Sequence, residues 1–209
     1  MRCSGIVGIM QRPTIYLVRH GQTLLNAENR LQGCGCDAPL TALGRAQSER
    51  VAAILRQQLP MDSSIRVVSS PLGRALATAS IILRAFERRP ESCEIDGRLR
   101  EIDFGDWTAL PIDTVRGIDA NLWTAREADP WTVKPPHGEC YADVAARALS
   151  WFNAQRKDTI AVSHGVFGRV LRGTLLGLSG NAIRHLDEPH DGVFRLVGTT
   201  IDALTLDVS

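Results

Sequence analysis

The chain has 209 residues, which is enough to bury a hydrophobic core in one generous domain. Hydrophobic residues make up 44% of it and charged residues 22%, the balance of a soluble globular protein. The formal net charge is only +1, which argues against a dedicated nucleic-acid-binding protein, because such proteins usually carry a basic excess.

Neither a membrane span nor a secretion signal is expected. No apolar run approaches the roughly 18 residues that a span needs, and the short apolar piece at 5–10 lacks a convincing cleavage site. We therefore expect residues 1–12 to form a loose leader. The cysteines are scattered and odd in number, which favours reduced thiols in the cytoplasm over a disulfide framework. They are Cys3, Cys34, Cys36, Cys93 and Cys140.

The first third of the chain alternates strands with helices. Residues 14–19 are rich in β-branched and aromatic side chains, which predicts a buried strand that stops at His20. A long loop over 20–40 follows, and Thr41 can cap a helix that runs to about residue 58. Residues 65–68 predict a second strand, after which Ser70 is expected as an N-cap with Pro71 in the first helical position.

The rest of the chain repeats this alternation around an irregular segment. Residues 93–95 predict a weak strand, and the proline-rich stretch 105–138 predicts an irregular excursion with one helix inside. A helix from residue 141, a strand over 159–162, a helix to about residue 176 and a closing hairpin complete the pattern. We predict one α/β domain over 1–209, a three-layer α/β/α sandwich with a mostly parallel central sheet.

Two of the predicted strands end in a histidine followed by glycine, at His20-Gly21 and His164-Gly165. A third strand leads through Ser69-Ser70-Pro71 to Arg74. Because the carboxyl ends of parallel strands share one edge of a sheet, Arg19, His20, Arg74 and His164 are expected in one cleft. Guanidinium groups, imidazoles and helix N-termini together suit a tetrahedral dianion. The residues alone thus predict a phosphate site with two histidines.

Four sequence blocks resemble the histidine phosphatase superfamily, also called phosphoglycerate-mutase-like. The resemblance covers roughly residues 14–180 and its blocks occur in the expected order. The blocks are Arg19-His20-Gly21-Gln22-Thr23 with Asn26, Gln32-Gly33, Asp37 and Pro39-Leu40-Thr41; Ser69-Ser70-Pro71 with Arg74 and Thr78; Leu99-Arg100-Glu101 with Phe104-Gly105-Asp106-Trp107; and Val162-Ser163-His164-Gly165.

The resemblance implies a role for each matching residue. His20 is implied as the nucleophile that forms a phosphohistidine, and Glu101 as the proton donor and later the base. His164 completes the catalytic group, while Arg19, Arg74, Asn26 and Gly165 are implied in phosphate binding. Gln32 and Gly33 are further substrate-binding candidates. No metal ion or other cofactor is expected, because arginines supply the charge that phosphoryl transfer needs.

Other polar residues have simpler interpretations. Cys34 and Cys36 are interpreted as reduced loop thiols, since two cysteines without a second pair are a weak zinc signal. Cys140 is expected to cap a helix near the pocket mouth, and His185 and His190 are interpreted as surface residues. We interpret 108–138 as a lid that sets substrate specificity. Its basic residues Arg116, Arg126, Lys134 and His137 are candidate contacts for an anionic substrate.

Three functions stay open at this point. The leading hypothesis is a phosphatase acting on a small phosphomonoester, without nucleic-acid or membrane partners. The first alternative is a cofactor-dependent phosphoglycerate-type mutase, which returns the phosphoryl group to its product. The second is a non-catalytic phosphate-binding or regulatory module. A homodimer is compatible with the sequence.

Overall fold

The computed structural model describes residues 12–61 and 65–206. Apart from Arg12, the predicted leader therefore lies outside the described residues. Within them, no helix has the length and apolar character needed to cross a membrane. The strands are β1 Thr14–Arg19, β2 Arg66–Ser69, β3 Glu94–Ile95, β4 Thr159–Ser163, β5 Val193–Val197 and β6 Thr200–Leu204. The helices are α1 Leu24–Ala27, α2 Ala42–Gln58, α3 Gly73–Ala85, α4 Ile112–Ile118, α5 Ala120–Ala128, α6 Tyr141–Asn153, α7 Gly165–Leu175 and α8 Gly180–Arg184.

The strands form one sheet in the order β3-β2-β4-β1-β5-β6. The first four run parallel, and the β5–β6 hairpin joins β1 in antiparallel orientation. Arg19 is in register with Ser163, and Ser69 with Val162. The carboxyl ends of β1, β4 and β2 therefore lie side by side, as the alternating pattern predicts.

Alternate residues of β1 pack into two different hydrophobic clusters. Ile15 and Leu17 face a cluster built on α6 and α7, whereas Tyr16 and Val18 face one built on α2 and α3. Strand side chains alternate between faces, so helices cover both sides of the sheet. This arrangement confirms the predicted α/β class with a mostly parallel central sheet.

Two local predictions are wrong. Helix α3 begins at Gly73 with Leu72 as its N-cap residue, instead of beginning at Pro71 after Ser70. The Asp37 carboxylate accepts hydrogen bonds from the backbone N–H groups of Gly73 and Arg74, and this leaves the Ser70 hydroxyl for another contact. The excursion 105–138 contains two α-helices, α4 and α5, which meet at Asp119, and a short 3-10 helix over Gly105–Trp107.

Other boundaries agree closely with the pattern. Thr41 caps α2, with its hydroxyl oxygen accepting a hydrogen bond from the N–H of Gly44. Cys140 is the N-cap residue of α6 and, with Asp143, forms a capping box. The loop over 20–40 also contains the one-turn helix α1. The single-domain division and the lid role of 108–138 stay predictions.

Candidate active site

The carboxyl edge of the sheet carries a cavity of about 320 Å³. Every predicted site residue except His164 lines it, and His164 lies directly behind His20, with 5.1 Å between the ring centroids. Both rings are buried. The lining residues include Arg19, His20, Asn26, Gln32, Gly33, Arg74, Glu101 and Gly165. The structure thus brings together residues that are up to 146 positions apart in the chain.

Hydrogen bonds fix the orientation of the His20 ring. Its Nδ1 lies 2.8 Å from the carbonyl oxygen of Gly21, so Nδ1 carries the proton and donates it there. The Nε2 atom is left with a lone pair, to which the Nε–H of Arg74 donates at 3.2 Å. Burial, followed by the charges of Arg74 and Arg19, holds the pKa of His20 well below its usual value. His20 is therefore a neutral imidazole near pH 7.

Arg74 is buried and held by the loop before α2. Its Nη2 donates to the carbonyl oxygen of Gly33 at 2.6 Å, and its Nη1 donates to that of Cys36 at 3.1 Å. The carboxylate of Asp37 lies 3.2 Å from Nη1. Gly33 has a φ of +55°, and an added Cβ would lie 2.9 Å from the Ile102 carbonyl oxygen. Only glycine fits this turn without strain, and its carbonyl orients Arg74.

Gln32 and Asn26 contact the protein as well as the cavity. The Gln32 amide is buried, and in its better-satisfied orientation it donates to the hydroxyl of Thr23 and accepts from Arg74 at 3.3 Å. Asn26 accepts hydrogen bonds from the backbone N–H and the hydroxyl of Thr23 through its Oδ1 atom. Both side chains therefore support the cavity wall, whatever they contribute to binding.

Arg19 lies against the start of α7. Its Nη1 donates to the carbonyl oxygen of Glu188 at 2.7 Å, while its Nε is buried without a partner among the described residues. An added Cβ on Gly165 would lie 3.2 Å from the guanidinium carbon of Arg19. Glycine at 165 thus leaves room for this arginine. Burial is the main cause that lowers the pKa of Arg19.

Glu101 is positioned by the N-terminus of α7. Its carboxylate accepts hydrogen bonds from the backbone N–H groups of Val166 and Phe167, both at 3.1 Å, and from Ile102 at 3.0 Å. The backbone around it is held in turn by Arg147, whose Nη2 donates to the Glu101 carbonyl oxygen. The carboxylate is therefore fixed at the cavity wall by one end of a helix.

His164 is the N-cap residue of α7 and is wholly buried. Its Nε2 lies 2.8 Å from the Ser70 hydroxyl, which also accepts weakly from the N–H of Leu72 at 3.4 Å. This arrangement lets Ser70 donate to Nε2 and leaves the proton of His164 on Nδ1. In the described part of the chain, Nδ1 has no hydrogen-bond partner. Burial, followed by Arg74, holds the pKa of His164 well below its usual value.

His190 lines the same cavity, so its interpretation as a surface residue is wrong. Its Nδ1 donates to the His20 carbonyl oxygen at 2.6 Å, and the two rings lie 5.5 Å apart. Burial and the charge of Arg19 lower the pKa of His190 to about 4. His185, by contrast, is exposed as predicted.

The predicted closing hairpin would have placed His190 at the site only if its pairing with β1 had also been known. Strand β5 runs antiparallel to β1, and Val193 is in register with Val18. Residues just before β5 must therefore reach the carboxyl end of β1, where His20 lies. The same segment supplies Glu188, which is buried and ion-paired with Arg172.

The four cysteines within the described residues are free. Cys140 is buried, and its thiol donates to Asp143 at 3.3 Å. No group of three or more metal-ligating side chains occurs among residues 12–61 and 65–206.

Three of the four basic candidates in 108–138 pair with acidic side chains away from the cavity lining. The pairs are Arg116 with Asp113 at 3.3 Å, Lys134 with Asp143 at 2.7 Å, and His137 with Asp106 at 3.1 Å. Arg126 differs, because its guanidinium lies over the rings of Phe104 and Tyr141.

Known proteins resemble this chain in both sequence and fold. Residues 15–200 match the model of the histidine phosphatase superfamily, branch 1. The chain is 37% identical over 181 residues to a protein of Citrobacter koseri named probable phosphoglycerate mutase GpmB, with 82% of this chain and 79% of the relative covered.

Solved structures agree with this assignment. YhfR of Bacillus stearothermophilus has a TM-score of 0.78 and 29% identity, covering 94% of this chain and 98% of its own. A mycobacterial glucosyl-3-phosphoglycerate phosphatase, solved with VO3, has a TM-score of 0.73 and 28% identity, with 94% and 98% covered. The protein belongs to the histidine phosphatase superfamily.

Proposed function

We propose that this protein hydrolyses a small phosphomonoester through a phosphohistidine at His20. The observation that carries the proposal is the state of the His20 ring. Its Nδ1 proton is held by the Gly21 carbonyl, and its unprotonated Nε2 lies beside Arg74 in a cavity of about 320 Å³. A neutral, oriented imidazole beside a guanidinium group is suited to attack a bound phosphoryl group.

The first step transfers the phosphoryl group to His20. The Nε2 lone pair forms a bond to phosphorus while the bond from phosphorus to the ester oxygen breaks. Protonated Glu101 gives its proton to the departing oxygen, so the product leaves as an alcohol. Its place at the cavity wall supports this role for Glu101.

The second step regenerates the enzyme. A water molecule attacks phosphorus, the bond between phosphorus and Nε2 breaks, and inorganic phosphate forms. Glu101, now a carboxylate, takes the proton that the water loses. One water is consumed, and both His20 and Glu101 return to their starting states.

Arg19, Arg74 and His164 are proposed to hold the phosphoryl oxygens in both steps. The two guanidinium groups balance the negative charge, and the unpaired Nδ1–H of His164 is a further donor beside His20. These donors are fixed by the protein before substrate arrives, which is the condition under which electrostatic stabilisation is most effective. Asn26 and the backbone at Gly165 are proposed as further phosphate contacts, and Gln32 and Gly33 as substrate contacts.

A phosphoglycerate mutase is the second candidate. It is favoured by the GpmB relatives, which are named as probable phosphoglycerate mutases. The two activities share the phosphohistidine and differ in whether water or the product accepts the phosphoryl group. Release of phosphate from p-nitrophenyl phosphate, compared with interconversion of 2- and 3-phosphoglycerate, separates them.

Removal of the nucleophile is the central test. The variant His20→Ala is expected to lose roughly 10⁴-fold or more of the activity on p-nitrophenyl phosphate, because a covalent route disappears with it. A labelled phosphoenzyme should form in the wild type and be absent from the variant. A variant that is folded and still hydrolyses at the wild-type rate would contradict the proposal, and so would a wild type without activity.

We also propose a cytoplasmic location. The described cysteines are free, including the half-buried loop thiols Cys34 and Cys36, which fits a reducing compartment. Fractionation of cells that produce the tagged protein would test this.

A further inference from the structure

His190 makes a contact with the nucleophile that the chemistry proposed above does not use. Its Nδ1 donates to the backbone carbonyl oxygen of His20 at 2.6 Å, and the two ring centroids lie 5.5 Å apart. Burial is the main cause that lowers the pKa of His190 to about 4, so the ring carries a single proton near pH 7. A carbonyl oxygen only accepts, so this proton lies on Nδ1 and His190 is a neutral donor to the chain at His20.

The contact holds one end of the peptide group between His20 and Gly21. At the other end, the N–H of Gly21 donates to the hydroxyl of Thr78 at 3.1 Å. A peptide group is planar, so hydrogen bonds to its oxygen and to its N–H together define the orientation of the whole plane. His190 and Thr78 therefore hold this plane from opposite sides.

The orientation of this plane matters because the next carbonyl, that of Gly21, determines which nitrogen of His20 carries the proton. The Gly21 carbonyl oxygen lies 2.8 Å from Nδ1 of His20. An added Cβ on Gly21 would lie 2.0 Å from the Gly44 carbonyl oxygen, so the position requires glycine, whose backbone angles are the least restricted. The peptide group after Gly21 is held by the N–H of Gln22, which donates to Gln47. The peptide group before Gly21 is the one that His190 holds.

Backbone pairing between strands ends before it reaches His20. Strand β5 runs antiparallel to β1, and its first residue, Val193, is in register with Val18. The His20 carbonyl lies two residues beyond that pair, and there a side chain, the ring of His190, supplies the donor. A buried carbonyl without a donor is unfavourable, so removal of the His190 donor favours rotation of the peptide plane towards another donor.

The segment that carries His190 is anchored by a buried ion pair. Arg172, on α7, donates to the carbonyl oxygen of Asp187 and to the carboxylate of Glu188, and the side chains of Arg172 and Glu188 are both buried. The carbonyl oxygen of Glu188 accepts a hydrogen bond from Arg19 at 2.7 Å. Residues 187–190 thus contact two consecutive residues of the site from one fixed position.

We propose that His190 is a positioning residue for the nucleophile. Its hydrogen bond to the His20 carbonyl holds the peptide plane that directs the Gly21 carbonyl to Nδ1, and this leaves Nε2 of His20 unprotonated for attack on phosphorus. The inference rests on the proposed function, because it assigns a group that prepares His20 for that reaction. His190 acts through His20, so its loss should slow phosphoryl transfer and leave phosphate binding by Arg19 and Arg74 intact.

Two variants of the same shape test the hydrogen bond. Asparagine has its NH2 group on Cγ, where histidine has Nδ1, whereas leucine has the same branched shape without a donor. The rate of phosphoenzyme formation from p-nitrophenyl phosphate is measured, with the inhibition constant of inorganic phosphate as the measure of anion binding. His190→Asn should react within about threefold of the wild-type rate. His190→Leu should react roughly 10- to 100-fold more slowly, with an inhibition constant changed by less than about threefold.

The proton on His20 is followed directly by ¹⁵N NMR of the histidine side chains. The signals of His20 are identified by their absence from His20→Ala. Wild type and His190→Asn should both show His20 protonated on Nδ1, whereas His190→Leu should show a share of His20 protonated on Nε2. His185→Leu is the matched control, because His185 is exposed, and it should equal the wild type in both rate and spectrum.

Three results would overturn the role of His190. They are a His190→Leu variant that forms phosphoenzyme at the wild-type rate, a His190→Asn variant as slow as His190→Leu, and a proton on Nδ1 of His20 in every variant. If His190→Leu does not fold, His190→Gln carries the test, because its amide lies one bond further from the backbone and cannot replace Nδ1. A wild type that forms a phosphoenzyme on His20 keeps the proposed function intact when the positioning role fails, whereas a wild type without one defeats the function itself.

Discussion

The carboxyl edge of the sheet and the segment 108–138 hold their cations in different ways. At the edge, the Arg74 guanidinium is fixed by two backbone carbonyls and Asp37, and Arg19 by the carbonyl of Glu188. In the segment 108–138, Arg126 lies over the rings of Phe104 and Tyr141, and its Nε and Nη2 have no hydrogen-bond partner among residues 12–61 and 65–206. The edge is therefore built before substrate binds, as phosphoryl transfer requires.

After loss of the nucleophile, the largest effect is expected from Arg74, whose guanidinium is fixed at the carboxyl edge of the sheet. Arg74→Lys should lower kcat/KM on p-nitrophenyl phosphate by roughly 10² to 10³-fold, because lysine cannot contact His20 and the Gly33 carbonyl together. The matched control is Arg66→Lys, since Arg66 is paired with Glu94 near the sheet's far edge. A loss of less than about threefold in Arg74→Lys, close to that of the control, would mean that the fixed guanidinium of Arg74 is not needed for the reaction.

A smaller and substrate-dependent effect is expected from Glu101. Glu101→Gln should lower kcat/KM on alkyl phosphates by about 10²-fold and on p-nitrophenyl phosphate by less, because nitrophenolate leaves without a proton. The control is Glu127→Gln, a carboxylate that pairs with Arg184 at 3.1 Å and lies outside the cavity lining. Equal losses on both kinds of ester would show that Glu101 positions α7 and does not donate the proton.

The smallest expected effect is on the free energy of unfolding and its dependence on pH, through His190 at the carboxyl edge of the sheet. The pKa of His190 is lowered from 6.5 to about 4, mainly by burial and then by Arg19, while its hydrogen bond to the His20 carbonyl and Asp191 oppose this. Between these values the unfolded chain binds a proton that the folded chain does not. The free energy of unfolding should therefore fall as the pH drops from about 6.5 towards 4.

His190→Asn, which keeps a donor for the His20 carbonyl, should remove on the order of 2 kcal/mol of that pH-dependent loss after allowance for partial exposure. Urea unfolding at a series of pH values measures it, with His185→Asn as the exposed control. An unchanged pH slope in His190→Asn would mean that the buried ring does not contribute in this way.

The sequence pattern predicted those site residues that directly follow a strand. His20 and His164 each follow a strand, and the parallel pattern placed them at one edge, where the structure has their rings 5.1 Å apart. His190 was missed because it follows no parallel strand. It reaches the site through the antiparallel pairing of β5 with β1, which the hairpin pattern did not assign to a neighbour.

The start of α3 also shows that a local sequence pattern can be overridden by a contact with a distant residue. Ser70 followed by Pro71 has the composition of a helix start, and local propensity supports it. In the folded chain a carboxylate 36 positions earlier, that of Asp37, binds the first N–H groups of the helix, and Ser70 binds His164 instead. A distant partner replaced the local one.

By itself, the sequence determined the alternation of strands and helices and the residues at the strand ends, and hence which side chains meet at the carboxyl edge of the sheet. These features depend on short-range periodicity and on the rule that parallel strands share an edge. Only the tertiary structure decided which atom of His20 is free, and that His190 lies against its carbonyl. It also decided that, within the described part of the chain, Arg126 is the one basic candidate of 108–138 without an acidic partner. Those properties depend on contacts between residues far apart in the chain, and no local pattern specifies them.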